Sequence, residues 1–164
     1  RIQKLQSSQR LPERDILLLR TTDLNKSSEN KKLFDSLSQW IASRQSFILM
    51  EGLLYWLLQD SVNSLFKHLQ QTQTAGSLLA LNAFKPSETS KAMFQRLRKF
   101  SEKGYGIGNF SPNTLSETFH ENLLGYKLID QANYISLSKQ LDEVKELGDK
   151  DSVLEEDCYL LRKI

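Results

Sequence analysis

Short continuous apolar runs alternate along this chain with longer stretches in which apolar residues return every three or four positions. Ile16-Leu17-Leu18-Leu19, Phe47-Ile48-Leu49-Met50 and Leu78-Leu79-Ala80-Leu81 are of the first kind. Such runs predict strands buried on both faces. Leu33, Phe34, Leu37, Trp40 and Ile41 are of the second kind, spaced to share one helix face. Asp60 predicts the cap of a further helix with Val62, Leu65, Phe66 and Leu69 inward, and Ser87 the cap of one through Lys103 with Met93, Leu97 and Phe100 inward. Ser111 as cap and Pro112 in the first helical position predict another, carrying Leu115, Phe119 and Leu123 and stopping at Gly125. Residues 126–130 and 158–162 read as two last strands. Between them, Leu137, Leu141, Val144 and Leu147 predict a short helix, and the polar stretch 143–157 a solvated connection.

Strand, helix, strand, helix, strand is the order of a mostly parallel sheet covered on both faces, here closed by an antiparallel C-terminal pair. The 164 residues are read as a single α/β domain with no repeat and no linker.

Composition narrows the function. The chain is 39% hydrophobic and 26% charged, ordinary for a chain that buries a core. A net charge of +2 gives no electrostatic footprint for nucleic acid. The longest apolar stretch, residues 47–58, is interrupted by Glu51 and is shorter than the roughly 18–20 residues of a membrane span. One cysteine, Cys158, and two histidines, His68 and His120, leave no disulfide framework and little for a metal site. The triplets Asn25-Lys26-Ser27 and Asn109-Phe110-Ser111 read as chance matches to a glycosylation pattern, because no secretory signal precedes them. No nucleic acid, no membrane, no metal and a cytoplasmic location are the expectations.

In open α/β sheets ligands bind beyond the carboxyl ends of the strands. Asp23, Glu51 and Asn82 follow or end the first three apolar runs. An amide or carboxylate there can accept hydrogen bonds from an adenine amine, a ribose or an ammonium, or can simply cap a helix. Gly104-Tyr105-Gly106-Ile107-Gly108 is no dinucleotide fingerprint, since it leaves a predicted helix instead of following a strand. It reads as a flexible loop, placed where a lid would lie over the strand ends. His68 and His120 have no nucleophile to pair with. Tyr55 and Trp56 read as core residues that could also wall a pocket.

Thr22-Asp23-Leu24 after an apolar run, followed by Ile48-Leu49-Met50-Glu51-Gly52-Leu53-Leu54-Tyr55-Trp56-Leu57, resembles the leucine carboxyl methyltransferase family. Trp56 stands where that family passes straight from Tyr to Leu. Gly76-Ser77, Gly125-Tyr126 and the tail from Leu154 to Tyr159 fit the family's later order, so the resemblance spans nearly the whole chain. It implies a Rossmann-like methyltransferase sheet using S-adenosyl-L-methionine, with Asp23 and Leu24 at the adenine and Glu51 at the ribose or methionine side. It also implies O-methylation of a carboxylate or hydroxyl, on a protein C-terminus or a small molecule, with no catalytic residue identified. The family's Gly-rich turn after strand one and acidic residue after strand two have no counterpart here. In the family order 3-2-1-4-5-7-6, the chain thus lacks the first two strands. That predicts the C-terminal portion of a longer enzyme, weak cofactor binding when alone, and open sheet edges through which an oligomer would form. The competing expectations are a different nucleotide-binding α/β protein and a catalytically inactive methyltransferase-like interaction module.

Overall fold

The computed structural model describes residues 22–105, 112–140 and 153–164. The strand expected at residues 16–19, the cap Ser111, the glycines of 106–108 and the helical positions Leu141, Val144 and Leu147 lie outside the described residues. The order of elements is α1 (Ser27–Ile41), β1 (Phe47–Met50), α2 (Gln59–Thr72), β2 (Leu78–Phe84), α3 (Ala92–Tyr105), β3 (Tyr126–Asn133), α4 (Tyr134–Gln140) and β4 (Glu156–Lys163). The sheet order is β1-β2-β4-β3. β1 and β2 are parallel, with Phe47 opposite Leu78 and Met50 opposite Leu81. β4 runs antiparallel between β2 and β3. Three strands therefore share one direction and β4 opposes them, so the expected antiparallel closing pair is present. The order and directions are those of part of a Rossmann-like α/β sheet.

One face of the sheet carries the core. Met50, Leu79, Leu81, Tyr126, Tyr159 and Leu161 are buried there against Phe34 of α1 and Val62, Leu65, Phe66 and Leu69 of α2. The opposite face holds the alternate residues of the same strands and is much barer: Phe47 and Leu49 are 61% and 60% exposed. Among the described residues β1 has no second neighbour. Among the described residues, the expected cover is extensive on the first face and partial on the second, where Phe84 is buried against Phe94 and Tyr55. No helix among the described residues is long and apolar enough to cross a membrane.

Several element boundaries differ from the sequence pattern. Asp60 does not cap α2; the cap position is Leu58, and Asp60 lies in the first turn, where its charge complements the helix dipole. Trp40 is 53% exposed, because α1 turns Phe34, Leu37 and Ile41 to the core and leaves Trp40 beside that stripe. Ser87 starts no α-helix. Residues Pro86–Ser90 form a 3-10 turn instead, built around a buried Glu88 that pairs with Lys91 at 2.9 Å and accepts the Glu155 N–H at 3.0 Å. α3 then presents Phe94, not Met93 and Phe100, to the interior. Phe94 packs edge-on against Tyr55 and Phe84, whereas Phe100 is 67% exposed.

The helix expected from Pro112 onward is absent. Tertiary partners claim this segment: the Leu115 N–H donates to the Phe84 carbonyl at 3.0 Å, and the buried side-chain amide of Asn113 donates to the Leu57 carbonyl. Only a 3-10 turn, Phe119–Asn122, remains, although Leu115, Phe119 and Leu123 still face the core. The polar stretch before Cys158 is not all surface either. Glu156 and Asp157 belong to β4, and Asp157 is 2% exposed.

Candidate functional site

The carboxyl ends of β1, β2 and β3 lie at one end of the sheet, where β4 begins. β1 ends at Met50, and the chain turns through Glu51 and Gly52, the latter at φ +59, a conformation that a side chain would strain. The turn aims the Gly52 N–H at Asn82 of β2, whose Oδ1 accepts it at 2.8 Å. Asn82 then donates through Nδ2 to the carboxylate of Glu156 on β4. A backbone turn, an amide and a carboxylate on three neighbouring strands are thus locked in series.

Beside this chain of bonds, on the barer face of the sheet, is a cavity of about 380 Å³. Leu49, Ala80, Leu137 and Leu160 give it apolar walls, and Glu51 and Asn82 stand at its carboxyl end. Side chains alternate along a strand, so Glu156 faces the same side as Cys158 and Leu160, two residues nearer the strand ends. Burial pushes the Glu156 carboxyl above its ordinary range; the Asn82 hydrogen bond lowers it and the charge of Glu51 raises it again. Burial also raises the Cys158 thiol, with Glu156, Asp157 and Glu51 acting in the same direction. Cys158 is therefore no activated nucleophile.

Asp23 and Leu24 do not line the cavity. Asp23 takes the Asn25 N–H at 3.1 Å, lies 3.6 Å from Lys26, and through its own N–H donates to Glu29 at 2.9 Å. Leu24 is half-buried against the main core. Yet the loop that carries them is pinned to the segment after Glu51. Asn25 Nδ2 donates to the Trp56 carbonyl at 3.2 Å, and its Oδ1 accepts the Leu58 N–H at 2.8 Å. Asp23 and Glu51 consequently occupy the same end of the sheet, joined through Asn25. Tyr55 is a core residue, and His68 stacks on Phe34 at 4.9 Å.

Sequence reasoning missed Glu156 and Asn25. Glu156 was hidden in an acidic run, and only its register across from Phe84, two pairs beyond that of Asn82 with Cys158, brings it to Asn82. A second, polar pocket of about 300 Å³ lies along the same end, lined by Lys85, Glu117, Gln131, Asn133 and Asp157. There Lys85 bridges Glu117 at 3.1 Å and Asp157 at 3.3 Å.

The fold has solved counterparts. A protein of Thermobifida fusca YX described as a candidate methyltransferase is similar over 88% of this chain and 53% of its own, with TM-score 0.59 and 17% identity. An S-adenosylmethionine-dependent methyltransferase of Anabaena variabilis ATCC 29413 is similar over 99% of this chain and 64% of its own, with TM-score 0.55 and 8% identity. A DUF574 family protein of Streptomyces avermitilis MA-4680 reaches TM-score 0.55 at 12% identity, over 80% of this chain and 53% of its own. The chain thus spans between about half and two thirds of the length of these structures. At the level of sequence no family model and no curated protein matches it.

A methyl donor such as S-adenosylmethionine carries a sulfonium and an ammonium against a single carboxylate, and so is a net cation. Glu51 at the carboxyl end of the cavity and Asp130 in its wall have the sign of charge that suits such a cation.

Proposed function

We propose that this chain supplies part of an S-adenosyl-L-methionine-dependent methyltransferase, of the O-methylating leucine carboxyl type, acting on a protein C-terminal carboxylate or a small-molecule carboxylate or hydroxyl. The observation that carries the reading is the strand order β1-β2-β4-β3 with β4 alone reversed, which corresponds to strands 4-5-7-6 of the expected sheet, with Glu51 at the carboxyl end of the first of them. S-adenosylmethionine supplies an electrophilic methyl group on a sulfonium. The task left to the protein is alignment in a site that excludes water. Glu51 would hold the donor's ribose or methionine side, and Asp23 and Leu24 would border the adenine. A carboxylate acceptor is already ionised and needs no general base, in keeping with a site that offers no histidine.

Titration of the isotope-labelled chain with S-adenosylmethionine, S-adenosylhomocysteine, NAD and ATP tests the reading. The first two are expected to shift the amide signals of Gly52 and Asn82, weakly, at high micromolar to millimolar ligand. Saturation of the same signals by NAD or ATP instead would assign the site to another nucleotide.

The outer edge of β1, which has no neighbouring strand among the described residues, with Phe47 and Leu49 exposed beside it, favours a second reading in which the chain is a catalytically inactive module that pairs through that edge. Light scattering coupled to size-exclusion chromatography separates the two. An obligate oligomer that ignores both donor and product supports the module.

A further inference from the structure

The barer face of the sheet carries an ordered charge pattern. Strand register sets its side chains in rows. Phe47, Leu78, Arg162 and Lys127 share the row at the amino end of β1, β2 and β3. The next row is Leu49, Ala80 and Leu160, closed by Asp130 on β3. The carboxyl end is acidic, with Glu51 after β1 and Glu156 at the start of β4.

Both ends set like charge beside like. Lys127 and Arg162 are exposed and lie directly opposite each other across the β3–β4 pair, where like charges are unfavourable. Glu51 lies in the field of half-buried Glu156 and helps to raise its carboxyl. Among the described residues none of these four forms an ion pair, although Lys85, Lys91 and Arg98 each do. The middle of the face is largely apolar, and Phe47 and Leu49 stand exposed on it.

A basic end, an apolar middle and an acidic end complement themselves in one orientation. With a two-fold axis in the plane of the sheet and across its strands, the amino end of each copy covers the carboxyl end of the other. An axis along the strands would set acid on acid and base on base. Face-to-face sheets keep their strand directions within about 30° of each other, which the reversed arrangement satisfies.

We propose that this face is an isologous contact with a second copy of the chain, in which Lys127 and Arg162 of one copy meet Glu51 and Glu156 of the other while Phe47 and Leu49 of the two copies cover each other. The contact goes beyond the methyltransferase reading and does not rest on it. It also differs from pairing through the β1 edge, since β3 and β4 supply the basic end. Four short strands offer less than the roughly 800 Å² per partner of a standard interface, so the association is reversible.

Sedimentation velocity of the full chain over a range of concentrations tests it. The native chain is expected to pass from monomer to dimer in the micromolar range, and the dimer to weaken as salt rises from about 0.05 M to about 0.5 M. Lys127→Glu with Arg162→Glu, and separately Glu51→Lys with Glu156→Gln, should each weaken it about tenfold or more, because each sets like charge on like. Mixed in equal amounts, the two variants carry opposite charge where they meet and should pair again, with circular dichroism checking the fold of each. A native chain that stays monomeric at about 1 mM, a dimer indifferent to salt, or folded variants that fail to pair when mixed would overturn the inference. Variants that each pair as well as the native chain would overturn it too and move the contact to another surface, such as the β1 edge. The donor titration judges the methyltransferase reading separately from all of these outcomes.

Discussion

Asn82 reaches across the antiparallel β2–β4 pair to Glu156 while its oxygen holds the Gly52 N–H, so one side chain ties the turn after β1 to the first residue of β4. The pair stabilises a local geometry, but the ionised form of Glu156 works against the fold. Its carboxyl is raised by burial, and by Glu51 against the opposing effect of Asn82. A carboxyl raised in the folded state favours folding when protonated. That benefit is complete below its ordinary value of 4.5 and is lost as pH rises through the raised folded value. Glu156→Gln is therefore expected to melt higher than the native chain at pH 7, with the difference closing as pH falls toward 4.5. Thermal melts of both proteins between pH 4 and pH 8 check this; a variant that melts lower at pH 7 contradicts it.

Asn113 takes the place that a helix was expected to fill. Its buried amide donates to the Leu57 carbonyl, at the point where the segment after β1 turns into α2. Asn113→Ala leaves that carbonyl without its partner, at an expected cost of about 1–3 kcal/mol. Urea unfolding would measure it. A change below a few tenths of a kcal/mol would mean that the bond is exchanged for water.

The parts of the fold that were legible in the sequence are those set by local pattern. Four-residue apolar runs marked β1 and the start of β2, and period-four spacing placed Val62, Leu65, Phe66 and Leu69 inward. What could not be read was decided by partners distant in the chain. Pro112 in a helix-start pattern lost to hydrogen bonds offered by Phe84 and Leu57, and Asn82, taken for a strand terminus, lies within β2 because Cys158 pairs opposite it. Glu51 was visible because it closes an apolar run. Glu156 was not, since nothing in an acidic stretch says which carboxylate faces the sheet.

α3 gives this difference a measurable form. Phe94 and Phe100 are alike in composition and six residues apart, but Phe94 is 1% exposed and meets Tyr55 and Phe84, while Phe100 is 67% exposed. Phe94→Ala is expected to cost about 3–5 kcal/mol through lost burial and an unfilled cavity. Phe100→Ala should stay within about 0.5 kcal/mol. Similar losses at both positions would mean that α3 packs on the face first expected from the sequence.

Lys85 and Asp157 form the remaining test, because one of them is almost wholly buried. Asp157 is 2% exposed and accepts the Tyr159 hydroxyl at 3.1 Å as well as facing Lys85 at 3.3 Å. Lys85→Met leaves that carboxylate buried without its cation, at an expected cost of about 3–5 kcal/mol. Adding Asp157→Asn removes the stranded charge while still accepting from Tyr159, so the double variant should regain most of the loss. Burial pulls the Lys85 ammonium down, but Glu117 and Asp157 together outweigh it, and the net shift is upward from 10.5. A lysine raised in the folded state stabilises fully below 10.5 and loses that contribution only as pH climbs through the raised value. The gap between the native chain and Lys85→Met should accordingly stay constant from pH 7 to pH 10 in denaturant melts. If it shrinks within that range, Lys85 does not hold its charge against Asp157 and the strut at the end of β4 is carried by Tyr159 instead.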